Sequence, residues 1–331
     1  MATLSATHPT LLDYAKTLNP DNSVATVIEM LSQTNDITKD MVWQEGNLLT
    51  GHRVTSRSGL PTPTWRKLYG GVQPTKGTTA QFTEACGMLE AYSEVDKAMA
   101  DLHGNTAAYR MTQDRAHVEG MTQEFAATVF RGDESLVPEK FTGFEPRFTS
   151  TSGVNGENIL LSSPVTSDAT SIWLIGWGPD TAFGIYPKGS VMGLQMQDKG
   201  QVTIESIDGA GGRMEAYRSH YRWDCGLCVA DWRYVVRIQY KISTTTASGS
   251  TGPVLADLMA KAIRRIPNLN RVRPAFYMNR TSWDLLDLQA NNKGTLAYTT
   301  TYDAQGIATE RFRGIPIRRC DAILATETAL S

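Results

Sequence analysis

The chain has 331 residues, 41% hydrophobic and 20% charged, with a formal net charge of -2. That balance fits a globular protein of about two domains and excludes the strongly basic footprint of a dedicated duplex-DNA binder. Four cysteines without a regular framework of spacings point to a reducing compartment; no apolar run approaches the roughly 18 residues of a membrane span, and the start has no signal-peptide core.

Residues 1–45 read as an extended arm with one short helix. Asp21-Asn22-Ser23 can cap it, and Val24, Val27, Ile28 and Leu31 form its apolar stripe. An arm unable to bury that stripe on itself is expected to lie on another part of the protein or on another subunit. Residues 48–80 read as two polar strands about a Gly59-Leu60-Pro61-Thr62-Pro63 turn, carrying Arg53, Arg57, Trp65, Arg66 and Lys67. With so few large apolar side chains the pair cannot pack alone, which predicts a projecting hairpin that takes contacts from a neighbouring molecule.

Residues 81–93 fit a strand or a short helix. From Asn105 to Arg131 the spacing of Met111, Val118, Met121, Phe125 and Val129 predicts a long helix, with Asn105 or Thr106 as cap and Gly132 as stop. At ~1.5 Å per residue it is on the order of 40 Å long. A Pro/Gly/Ser-rich passage, 133–168, leads to Ile172–Trp177, apolar on both faces like a strand covered on both sides. Val202–Ile207 and Arg213–Tyr217 form a hairpin about 208–212.

Tyr217–Tyr240 is the densest aromatic stretch. Tyr221, Trp223, Cys225, Leu227 and Val229 share one parity; Trp232, Tyr234, Val236, Ile238 and Tyr240 share the other. The switch predicts a long strand, 217–240, kinked by a bulge or tight turn near Ala230–Asp231. After a Ser/Thr/Gly linker at 243–252, Pro253 opens an amphipathic helix through Leu255, Leu258, Met259, Ala262, Ile263 and Ile266, ended by Pro267. Ala275–Met278 reads as a strand, Thr281 as the cap of the next helix, and the tail as a strand pair about 303–306.

Only Cys225-Gly-Leu-Cys228 looks like chemistry. It has no second pair or histidine cluster for a metal, and it sits on a strand rather than at a thiol-activating helix N-terminus. An offset of three places the side chains on opposite faces, with Cα atoms roughly 10 Å apart, beyond disulfide reach. No phosphate-binding glycine loop and no nucleophile elbow is present. The residues therefore point to no enzyme, no cofactor and no metal.

An N-terminal arm, a basic hairpin, a long helix and a sheet-rich remainder together resemble the major capsid proteins of tailed bacteriophages, with their Hong Kong 97-type α+β fold. Phe276–Arg280 with Trp283 and Leu286, then Phe312–Ile317, is similar to the family's axial-domain signature, here Asn279, Arg280, Trp283, Gly314 and Pro316. Trp223–Tyr234 and the opening Met1–Leu4 with Thr7–Asp13 look like capsid proteins of short-tailed phages of the Bordetella phage and epsilon-fifteen type. The resemblance implies an arm at 1–45, an extended loop at 46–80, and a peripheral domain of 81–132 and 200–245. The axial domain would be 133–199 and 246–331. In the family's usual order the peripheral strands return after the axial signature. Here the long strand precedes it, so either the connectivity is permuted or one segment belongs to the other domain.

The function implied is an icosahedral shell subunit in the virion capsid, assembled in the host cytoplasm around double-stranded DNA that it touches weakly. Its implied partners are its own copies in hexamers and pentamers, a portal protein and a scaffold or cement protein, with no membrane. Subunit contacts are expected from Val24, Ile28, Leu31, Arg53, Arg57, Trp65, Arg66 and Lys67. Two other readings stand beside it: a thiol or metal protein using Cys225 and Cys228, and a nucleic-acid-binding module using Arg264, Arg265, Arg271 and Arg273.

Overall fold

A computed structural model describes residues 33–102, 105–162, 168–205, 211–246, 253–293, 298–302 and 308–330. The predicted arm helix with Val24, Ile28 and Leu31, most of the turn at 208–212, and the turn at 303–306 lie outside the described residues. In chain order the helices are α1 (Ile37–Asp40), α2 (Lys97–Ala100), α3 (Thr106–Arg131), α4 (Leu255–Arg265) and α5 (Arg280–Lys293). The strands are β1 (Trp43–Glu45), β2 (Gly51–Gly59), β3 (Thr78–Ala85), β4 (Gly87–Asp96), β5 (Ile159–Leu161), β6 (Ala169–Trp177) and β7 (Ala182–Tyr186). They continue as β8 (Gln195–Glu205), β9 (Arg213–Val229), β10 (Val235–Lys241), β11 (Arg273–Met278), β12 (Tyr298–Tyr302), β13 (Ala308–Phe312) and β14 (Ile315–Arg319). The ambiguous stretch at 81–93 is strand, in β3 and β4.

The chain divides into two compact units. Of the described residues, the smaller holds 33–34, 88–102, 105–127, 193–205 and 211–224. Its long helix starts where expected: the Asn105 side chain accepts a hydrogen bond from the Ala108 amide at 3.3 Å, covering an otherwise orphaned first-turn donor. Beside the helix, β4 pairs with β9 and β9 pairs antiparallel with β8. Phe125 stacks on Trp223 with ring centroids 4.3 Å apart, and Tyr109 is buried with Val95, Met99 and Ala100. Met111, assigned to the buried stripe, is 58% exposed. Its place at the helix start is taken by Tyr109, which brings more apolar area to the same sheet.

Of the described residues, the larger unit holds 35–87, 128–162, 168–192, 225–246, 253–293, 298–302 and 308–330. β6 is its centre, paired antiparallel with β10 on one side and β11 on the other. β5 joins outside β10, and β14, β13 and β12 extend the sheet beyond β11. Every residue of β6 is buried, because both faces are covered. Ile172 and Leu174 join the α4 residues Leu255, Leu258, Met259 and Ala262 in one core cluster. Trp173 faces Phe130, Phe144 and Phe148 on the other side, with centroids 5.8–6.0 Å apart. The apolar face of α4 is as expected, but the helix begins at Leu255, with Val254 as its cap and Pro253 outside it.

The long aromatic strand and the cap of α5 also need correction. The strand proposed over 217–240 is two strands. Trp232–Tyr234 form a turn of 3-10 helix capped by the Asp231 side chain, after which β10 pairs with β5 and β6, not β9. The parity switch marks a change of partners rather than a bulge within one ladder. The cap of α5 is Asn279, not Thr281: its Oδ1 accepts from the Ser282 amide at 2.8 Å and the Ser282 hydroxyl at 2.7 Å.

Candidate functional site: the projecting hairpin and its anchor

β2 and β3 make a separate two-stranded ladder from the Gly51–Ala85 pair to Gly59–Thr78. The turn is not at 59–63, and the second strand begins at Thr78 rather than near Trp65. Residues 60–77 form one long connection without regular structure, exposed at every position except Gly70. A connection of that length is uncommon in a compact domain unless it does something. It carries Arg66, Lys67 and Lys76 together with Leu60, Trp65, Leu68, Tyr69 and Val72, all exposed apolar or aromatic side chains. Tyr69 sits in the left-handed region at φ 64° in a turn closed by the Gly70 amide on the Lys67 carbonyl. A bulky residue there stores strain.

The root is held firmly. The Arg147 guanidinium grips the Glu84 carboxylate with both prongs, at 2.5 and 2.7 Å, and its remaining donors reach the Thr142 and Gly143 carbonyls. Such a bidentate pair fixes orientation as well as charge. The Asn47 side chain bridges the amide and carbonyl of Arg53 at 2.7 and 2.8 Å. A Cβ on Gly51 would lie 2.0 Å from the Glu84 carbonyl oxygen, so only glycine lets the strands close at this point. Arg53 and Arg57 lie exposed along β2, and Arg53 Nε donates to Thr83 Oγ1 at 3.4 Å. The result is a rigid stem with a polar, aromatic tip. At ~3.3 Å per residue the nine-residue β2 reaches on the order of 30 Å.

Within the stem's own unit is a buried charge cluster that sequence reasoning missed. Arg237 on β10 donates from Nη2 to Glu327 Oε2 at 2.8 Å, from Nε to Ser171 Oγ at 3.0 Å and from Nη1 to the Phe148 carbonyl at 2.9 Å. It lies over the Trp173 ring, 5.1 Å from the centroid. Ser171 donates a short hydrogen bond to the same Glu327 oxygen. Side-chain exposure is 3% for Arg237 and 1% for Glu327. Around the pair the chain end is laid down by Glu327 N on Ala169 O, Gln239 Nε2 on Thr328 O, and Leu330 N on Gln239 Oε1.

Glu145 stands nearby, and its Oε1, like that of Glu327, is buried without a hydrogen bond. Burial, and secondarily the Glu327 charge, push its carboxyl up to about 7 against the pull of Arg237 and Arg131. The unfolded group titrates near 4.5, so between those values the folded chain keeps a proton that the unfolded chain has lost. Stability from this group is complete below pH 4.5 and is lost as pH rises through about 7. Denaturant titration of the unassembled protein from about pH 5 to about pH 8 is expected to show a loss of up to about 3 kcal/mol, which Glu145→Gln removes. Equal slopes in the two proteins would refute the assignment.

Cys225 and Cys228 are both buried and not disulfide-bonded. Burial, then the Glu84 charge, push the Cys228 thiol up to about 12, which leaves it protonated and unreactive near neutral pH. Its neighbours are Phe183 and Ile185. Among the described residues no group of three His, Cys, Asp or Glu is placed to hold a metal.

The signature residues are joints of the larger unit. Asn279 caps α5 and donates to Thr170 Oγ1 at 2.9 Å, and Trp283 Nε1 donates to Glu310. Gly314, at φ 84°, turns β13 into β14, where Pro316 sits opposite Arg311. Arg280 is exposed. The four arginines of the nucleic-acid reading are spread in role: Arg265 donates to the Glu157 carbonyl and Arg271 pairs with Asp180 at 2.6 Å, while Arg264 and Arg273 are exposed.

The model of the family described as Major capsid protein GP7 matches residues 19–331. A comparison with curated protein sequences returns no match. Among solved structures, a chain of bacteriophage Epsilon15, determined by cryo-electron microscopy and modelling, is 30% identical with a TM-score of 0.75, covering 100% of this chain and 99% of that one. The bacteriophage JBD30 capsid is similar at 10% identity and a TM-score of 0.46, over 89% of this chain and 92% of that one. A mixed α+β chain with a bare, anchored hairpin suits a building block, and the matched family accounts for it: the chain belongs to the GP7 major capsid protein family, has the Hong Kong 97-type fold, and is a non-enzymatic structural subunit of a phage head.

Proposed function

We propose that this subunit closes the virion shell through its hairpin and arm, which reach neighbouring copies in hexamers and pentamers. Trp65, Arg66 and Lys67 at the tip, Arg53 and Arg57 along β2, and Val24, Ile28 and Leu31 in the arm make those contacts. Residues 81–132 and 200–245 serve as the peripheral domain, and 133–199 with 246–331 as the axial domain, which meets its symmetry mates at capsomer centres. The shell assembles in the host cytoplasm with a portal and a scaffold or cement protein. It encloses double-stranded DNA through weak contacts, in keeping with a chain of net charge -2.

The observation that carries this reading is the tip: eighteen residues of connection with aromatic side chains in water, on a stem that the Glu84–Arg147 pair holds rigid. Exposed apolar clusters of this kind mark interaction surfaces, and many modest contacts add up in a closed shell. Hydrogen exchange on dispersed subunits and on shells tests it. Amides of 60–77 are expected to exchange freely in the subunit and at least about tenfold more slowly in the shell; equally fast exchange in both would contradict it.

A further inference from the structure

Between Gly46 and Thr83 the chain holds Arg53, Arg57, Arg66, Lys67 and Lys76 and no aspartate or glutamate. The whole chain has 34 acidic and 32 basic residues, so everything outside the hairpin is net acidic. The hairpin is thus opposite in charge to the body of its own kind, which favours docking on another copy. The receiving surface must offer uncompensated carboxylates beside exposed apolar groups, to match Lys67 and Arg66 beside Trp65, Leu68 and Tyr69.

The loop after α3 has that composition. Asp133, Glu134 and Glu139 bracket Leu136 and Val137, which are 79% and 40% exposed. It is already wound: Leu136 N and Val137 N donate to the Asp133 carbonyl at 3.2 and 2.9 Å, and Lys140 N to the Val137 carbonyl at 3.0 Å. Asp133 Oδ1 accepts from the Ser135 amide and hydroxyl at 2.9 and 2.6 Å, which lowers its pKa and keeps it charged. A loop ordered before binding loses little entropy on docking. With Arg131 and Lys140 at its ends, the stretch 131–140 still carries three carboxylates against two cations. The acidic and apolar outer face of β4, by contrast, is spent internally: Glu94 pairs with Arg218 at 2.6 Å, and Glu90 with His220 at 3.2 Å and Arg222 at 3.6 Å.

We infer that the hairpin tip of one subunit docks on the Asp133–Glu139 loop of a second copy, Arg66 and Lys67 against its carboxylates and Trp65, Leu68 and Tyr69 against Leu136 and Val137. This rests on the hairpin being a lateral contact, and a charge exchange separates the two ideas. Arg66→Glu with Lys67→Glu is expected to cut the yield of shells after expression by at least about tenfold, and Glu134→Lys with Glu139→Lys to do the same. The four changes together are expected to restore most of it. All positions are exposed, so the melting curves of the unassembled variants should match the unsubstituted protein and serve as the folding control. Loss with the tip variant but no rescue by the fourfold variant, or normal shells from the loop variant alone, overturns the docking partner and leaves the tip as a contact. Normal shells from the tip variant overturn both. Shells from the tip variant that form normally but retain less DNA would assign the tip to nucleic acid instead.

Discussion

Arg237→Ala is expected to destabilise the unassembled subunit by about 3–5 kcal/mol, the range for breaking a buried pair from one side. The cost lies less in the lost attraction than in what stays behind. Glu327, with its side chain 1% exposed, would keep a charge in the core with only Ser171 and the more distant Gln239 to share it. The Phe148 carbonyl and the Ser171 hydroxyl would also lose their donors. Because Glu327 and its neighbours fasten the chain end to β6 and β10, exchange of the 322–330 amides should accelerate before the rest of the sheet opens. Replacing both partners with apolar residues of similar volume, Arg237→Met with Glu327→Leu, should recover much of the loss. Urea denaturation measures all three. A loss below about 1 kcal/mol for the single change would mean the pair is solvated in solution.

The same residue shows where sequence reading stops. Arg237 stands among Val236, Ile238 and Tyr240 and reads as the outward position of a half-buried strand. It is inward because the Phe148 segment covers its face of the sheet, where it lies over the Trp173 ring. Its partner is 90 residues away, and nothing local announces such a pairing. Local signals did carry α3, whose period and Asn105 cap are written in consecutive residues, and β6, whose unbroken apolar run requires cover on both faces. They also carried the parity switch at Ala230–Asp231. Which strands then pair is decided by non-local packing, so one long strand was expected where two diverge. The hairpin was legible as a polar, basic projection, but its span was not. Trp65–Tyr69 has the composition of a strand, and only the ladder from Gly51–Ala85 to Gly59–Thr78 shows that the return strand starts at Thr78. Asn279 and Thr281 are both good caps by type, and geometry chose between them.

Shell formation by the hairpin makes the second large prediction. Gly59 and Thr78 already face each other across the ladder, so residues 60–77 can be replaced by Asn-Gly, which suits a two-residue turn. The anchor at Gly51, Glu84 and Arg147 is untouched, and the removed residues are almost wholly exposed, so stability of the subunit should change by less than about 1 kcal/mol. Losing Trp65, Leu68, Tyr69 and the three cations removes a contact from every copy, and a closed shell compounds that loss over all its interfaces. Sedimentation with electron microscopy of this shortened protein, expressed beside the full chain, is the direct measurement. Folded, dispersed subunits with no shells are the expected result; shells of ordinary size and yield would contradict the claim that the hairpin builds the capsid.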